Sequence, residues 1–175
     1  ADVYAVDYRG YGFSAGEPAV DRFADDALRV YDFAAAQNPG RPVVVVGQSM
    51  GGASALHVAA RREVAGVVLL APVSSVDDVI AALDRRASAF VRVEADASLR
   101  ALRTSPLADL ARTRAPTLIV HGLADEIATP AVIRRFREAP GPPRRELCAV
   151  PGGHGDVGPV TPEVRACVER FVAGP

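Results

Sequence analysis

Short apolar runs alternate with longer segments whose apolar positions recur every three or four residues, and the alternation continues along the whole 175-residue chain. Runs at residues 3–6, 42–46, 66–71, 117–121 and 146–150 read as β-strands. Several are apolar on successive positions, as strands covered on both faces are. Residues 20–36, 50–61, 76–91, 130–138 and 162–173 read as helices; in the first, Phe23, Ala27, Val30, Tyr31 and Ala34 repeat at helical spacing, with charges opposite. Strand and helix in alternation predict βα units, hence an α/β fold with a mostly parallel sheet of about five strands flanked by helices. Between Pro72 and Pro116 the pattern thins to Ala-, Arg- and Asp-rich helix with breaks. Residues 73–115 are therefore expected to form a small cap excursion within one domain spanning residues 1–175.

Composition narrows the chemistry. A net charge of −1 with both signs interspersed leaves no electrostatic footprint for nucleic acid. No apolar run is long enough to span a bilayer, and no signal-peptide pattern opens the chain, which leads to an expected cytoplasmic location. All 20 basic residues are Arg, which excludes a P-loop lysine, a Schiff-base lysine and a Ser-Lys dyad. Absent lysine with abundant Ala and Arg points to a GC-rich bacterial genome. Cys148 and Cys167 lie far apart without CxxC pairing and are expected to be free thiols. Three His without HExxH or clustered Cys give no expected metal site, and no cofactor is expected.

The stretch VVVVGQSMGGASAL places Ser49 between Gly47 and Gly51, after a predicted strand and before a predicted helix. That context fits the G-x-S-x-G nucleophile elbow, in which a sharp turn lifts the Ser hydroxyl above the strand ends and the neighbours must be small. A Ser nucleophile needs a base oriented by a carboxylate, in chain order Ser, acid, His. Asp125 follows the strand at 117–121 by a short turn, and His154 lies in a glycine-rich loop beyond the strand at 146–150. Asp77 and Asp156 are alternative acids. His57, two turns into the helix after Ser49, is expected to pack or meet solvent, and His121 to brace a loop.

These motifs resemble the α/β-hydrolase superfamily, nearest its serine aminopeptidase-like branch with a small cap. The resemblance rests on DYRGYGFSAG at residues 7–16, the GQSMGG elbow, Ser105-Pro106-Leu107 leading into APTLIVHGLADEIATP, and the terminal GGHGDV. It implies two-step acyl transfer with Ser49, Asp125 and His154 as catalytic residues and the Met50 N–H in the oxyanion hole. The expected function is a serine hydrolase cleaving an ester, thioester or amide of a small-molecule acyl substrate. The alternative is a non-catalytic hydrolase-like binding module, or an inactive fragment of a hydrolase. In the family a second oxyanion donor comes from a loop upstream of DYRGYG. The chain is thus expected to be a partial α/β-hydrolase fold lacking N-terminal strands, with strand 3–6 either separated from strand 42–46 or paired directly with it.

Overall fold

A computed structural model describes residues 2–87, 92, 94 and 105–174. Its sheet has four parallel strands in the order β1 (Val44–Gln48), β2 (Gly66–Leu70), β3 (Thr117–Gly122) and β4 (Arg145–Val150). Six helices accompany them among the described residues: α1 (Phe23–Gln37), α2 (Gly51–Ala59), α3 (Val76–Arg86), α4 (Pro106–Arg112), α5 (Pro130–Glu138) and α6 (Pro162–Ala173). Every residue of β2 is buried, as its unbroken GVVLL run requires of a strand covered on both faces. Leu56 of α2, Val67 and Leu69 of β2, Ile119 of β3 and Phe136 of α5 form the fully buried centre.

Helix boundaries follow local chemistry. Ser75 caps α3 by accepting a hydrogen bond from the Asp78 N–H, and Thr129 caps α5 by accepting from Val132 N–H. Pro at the first turn of α4, α5 and α6 occupies a place where no amide donor is needed. The predicted helix at 76–91 is observed to Arg86; residues 88–91 lie outside the described residues, as do 93 and 95–104 of the expected cap.

Two expectations are corrected. The sheet has four described strands rather than five, because residues 3–6 join no ladder: Val3 and Val6 are largely exposed, and β1 is an edge strand with Val46 open to solvent. An apolar run becomes a strand only where a neighbour accepts its backbone hydrogen bonds, so strands 3–6 and 42–46 do not pair directly. Nor are the cysteines free. Cys148 of β4 and Cys167 of α6 form a disulfide, since β4 and α6 pack side by side and bring the two Cα atoms to 6.3 Å across 19 residues of chain. Closing a loop of that length constrains the unfolded chain by about 3 kcal/mol. Reduction, or Cys167→Ser, should therefore lower Tm by ~6–12 °C for a chain of this size. Thermal melts with and without reductant test this; identical melts with both thiols free by mass would refute it.

Candidate active site

Three strand ends converge at one edge of the sheet, where open α/β sheets place their ligands. The first end is the β1–α2 turn. Ser49 has φ 51°, a left-handed conformation that costs a non-glycine residue energy and recurs at functional turns. Its N–H donates to the Leu70 carbonyl at 2.8 Å, which fastens the strained turn to the end of β2. Tightness at Gly47 makes the turn possible: a Cβ there would lie 2.3 Å from the Gly51 carbonyl oxygen. Gly51 is different, since a Cβ on it would meet nothing within 4 Å. The expected steric need for both motif glycines holds for the first alone.

From β3 comes Asp125, whose side chain is fully buried. One carboxylate oxygen, Oδ1, accepts from the N–H groups of Ile127 at 2.8 Å and Ala128 at 2.7 Å. His154 lies in a short 3₁₀ turn (His154–Asp156) after β4. Its Nδ1 is 3.0 Å from Asp125 Oδ2, and its Nε2 is 2.9 Å from Ser49 Oγ. His154 thus contacts both of its sequence-predicted partners, Ser49 and Asp125, which lie 105 and 29 residues away along the chain. Met50 follows directly. It caps α2, so its N–H is among the four at a helix start that have no intrahelical acceptor.

Other groups have structural partners. Asp156 accepts from the Gly153 N–H at 2.7 Å and so folds the loop carrying His154. The same loop is held to the Asp125 loop by Ala124 N–H donating to the Gly152 carbonyl at 2.9 Å. A Cβ on Gly122 would strike that carbonyl oxygen at 2.5 Å, so β3 and the histidine loop touch backbone to backbone. Asp77 is exposed in the first turn of α3. Its neighbour Asp78 is the engaged one: burial alone would raise its pKa, but hydrogen bonds from Ser74, Ser75 and Arg135 hold the carboxyl below the usual range. His121 is half-buried at the end of β3.

His57 is buried inside α2, 3.4 Å from Asp109 of α4, which also binds Arg61 at 2.9 Å. Burial first, and Arg61 second, push the His57 pKa down, while Asp109 opposes them. This cluster pins α4 against α2, and spacing alone gives no sign of it. The DYRGYG segment also has a packing role. Tyr8 stacks on Phe23 of α1 with ring centroids 4.0 Å apart, its hydroxyl donates to Ser54 Oγ of α2 at 3.1 Å, and Arg9 pairs with Asp26.

The chain is a member of the α/β-hydrolase superfamily, whose nucleophile elbow turns sharply from a strand into a helix as residues 44–59 do here. Within that superfamily, residues 1–109 match the family described as serine aminopeptidase, S33. That is more than half of the chain, and the chain belongs to that family. An uncharacterised protein of Mycobacterium tuberculosis is 30% identical over 157 residues, covering 88% of this chain and 53% of that protein. Human monoglyceride lipase is 42% identical over 76 residues, 40% of this chain and 25% of the lipase. An esterase of Pyrococcus furiosus shares the fold with a TM-score of 0.80 at 18% identity, over 95% of this chain and 68% of that one. The chain spans about half the length of the first curated relatives it matches. No described helix is long and apolar enough to cross a membrane.

Proposed function

We propose that the chain carries the acyl-transfer site of a serine hydrolase acting on an ester, thioester or amide. The observation that carries this reading is the continuous contact from Ser49 Oγ through the His154 imidazole to Asp125, at 2.9 and 3.0 Å. Ser49 Oγ attacks the acyl carbon while its proton passes to His154 Nε2. Asp125 accepts the Nδ1–H and so fixes the tautomer that leaves Nε2 free to take that proton. The Met50 N–H donates to the oxyanion as the carbonyl becomes tetrahedral. Collapse expels the leaving group with the proton from Nε2, leaving an acyl-Ser49 ester. Water, deprotonated by the same nitrogen, then attacks that ester and releases the acid and free Ser49.

The described helices α3 and α4 belong to the cap in this reading. No cofactor or metal takes part. The disulfide between Cys148 and Cys167 favours an oxidising compartment over the cytoplasm that the sequence suggests.

Fluorophosphonate labelling of the chain beside Ser49→Ala, read by intact mass, tests the proposal. One adduct, lost in the variant, is the expected result. A folded chain that takes up no label would overturn the acyl-enzyme mechanism for this chain and favour a non-catalytic binding role.

A further inference from the structure

The disulfide between β4 and α6 closes a covalent ring around His154, which lies within residues 149–166. The turn that carries His154 has two moorings. Before it, the Ala124 N–H donates to the Gly152 carbonyl at 2.9 Å, a contact that owes nothing to the disulfide. After it, the Thr161 hydroxyl donates to the Asp156 carbonyl at 2.9 Å. Thr161 is the N-cap of α6, where a hydroxyl ordinarily accepts from the helix's own amides. Here it makes no such bond and reaches back to the last residue of the histidine turn. The second mooring is therefore as firm as the hold on α6, and the disulfide is the covalent part of that hold.

Arg170 lies against both sulfurs, its Nη2 3.6 Å from Cys167 Sγ and 3.8 Å from Cys148 Sγ. Glu146 is taken by Arg144 and Glu169 by Arg165, each at 2.7 Å, and Arg170 pairs with no carboxylate among the described residues. A cation beside a sulfur favours its thiolate form, and a stabilised thiolate leaves a disulfide faster. Cys148 is half-buried and Cys167 buried, so an incoming thiolate meets Cys148 first.

We infer that Cys148–Cys167 is a thiol–disulfide exchange site for a small thiol, and that its oxidation state sets how firmly His154 is held against Ser49. The thiol, as its thiolate, bonds to Cys148 Sγ while the Cys148–Cys167 bond breaks, and Cys167 leaves as a thiolate beside Arg170. A second thiolate then attacks the bound thiol, forms a disulfide with it and releases Cys148. Two thiols thus become one disulfide, and the chain gains two electrons and, as its cysteines protonate, two protons. With the ring open, α6 is held to β4 by packing alone, and the second mooring loosens. On the acyl-enzyme reading above, His154 Nε2 then spends less time at 2.9 Å from Ser49 Oγ. A misplacement of about 1 Å can cost about 10²-fold in rate, and with the first mooring intact a loss of about tenfold is expected.

The test equilibrates the full chain in glutathione buffers of graded ratio and counts its thiols by alkylation and intact mass. Fluorophosphonate labelling of Ser49 is timed on the same samples, at a temperature where melts show the reduced chain folded. The imidazole resonances of His154, identified by their loss in His154→Gln, are followed in parallel. Reduction should slow labelling about tenfold, and oxidised glutathione should restore it. Arg170→Gln should be reduced about threefold more slowly, because the departing thiolate has lost its cation. Thr161→Val keeps the disulfide but removes the second mooring, so it should label about tenfold more slowly even when oxidised. It carries the test if reduction unfolds the chain. A folded chain whose disulfide resists glutathione, or an Arg170→Gln chain reduced at the unaltered rate, would overturn the exchange site. Unchanged labelling in the folded reduced chain, or in Thr161→Val where the reduced chain unfolds, would overturn the hold on His154. A chain that takes no label in either state, yet whose His154 resonances move on reduction and in Thr161→Val, would uphold the hold and reject the acyl-enzyme reading. No label and no movement would overturn both.

Discussion

Asp125→Asn is expected to slow labelling of Ser49 by about 10⁴, the loss that the same substitution causes in a serine protease triad, while the chain stays folded. The contacts of Asp125 explain both halves. Oδ1 is committed to the N–H groups of Ile127 and Ala128, which demand an acceptor. An asparagine must therefore keep its carbonyl oxygen there and present its NH₂ group to His154. Two donors cannot face each other, so His154 Nδ1 becomes the acceptor and the ring proton moves to Nε2, the atom that faces Ser49. The imidazole then has no lone pair for the Ser49 proton. Because the backbone hydrogen bonds survive, the loop is kept and the melting temperature should move little. Asp125→Ala removes those acceptors too, and leaving buried amides unpaired costs about 1–3 kcal/mol each. The pair of variants separates tautomer control from loop support. Labelling rates by intact mass, with thermal melts on the same samples, provide the check. An Asp125→Asn chain that labels at the rate of the unaltered one would remove Asp125 from the mechanism.

The sheet interior and the contact of Ser49 and Asp125 with His154 were legible because each is encoded locally. β2 is an unbroken apolar run and β3 is apolar from Leu118 to Val120, and burial on both faces leaves no other reading there. Ser49, Asp125 and His154 each follow a strand by one to four residues, and the elbow leaves its own mark in Gly47. What was not legible depends on neighbours. Residues 3–6 have the composition of a strand, yet nothing in four residues says whether a ladder partner lies beside them. The disulfide joins positions whose proximity follows only from β4 packing against α6. Buried Asp109 is visible as a charge in the sequence, but its partners His57 and Arg61 lie 52 and 48 positions back on another helix. Helix α4 is the exception: Ser105 followed by Pro106 is an ordinary helix-start signal. It falls within the stretch expected to be Ala-, Arg- and Asp-rich helix with breaks, where the pattern marks no separate element.

The two glycines of the elbow motif should respond in opposite ways to alanine. At Gly47 the new Cβ would sit 2.3 Å from the Gly51 oxygen, 2.5 Å from its carbonyl carbon and 2.7 Å from the Gly52 nitrogen. All three are backbone atoms of the first turn of α2, so no side chain can swing aside. Relief requires β1 and α2 to part at the turn that holds Ser49 at φ 51° and keeps its N–H on Leu70. Overpacking of this kind costs about 1–3 kcal/mol, a fall of roughly 2–12 °C in Tm. It also moves Ser49 Oγ out of its 2.9 Å contact with His154, so fluorophosphonate labelling should be lost even where the chain still folds. Gly51→Ala adds a methyl in open space within a helix. Gly51 is the first residue of α2, where alanine gains less than the roughly 1 kcal/mol of a helix interior, so this variant should melt at or slightly above the unaltered chain and keep its label. The contrast matters because motif spacing treats both glycines alike, whereas the packing argument assigns the constraint to one. Equal damage from the two substitutions would mean that the turn tolerates no side chain for some reason other than the approach of Gly47 to Gly51. Normal labelling in Gly47→Ala would mean that β1 and α2 separate without disturbing Ser49, and that the strained turn is not what presents the hydroxyl.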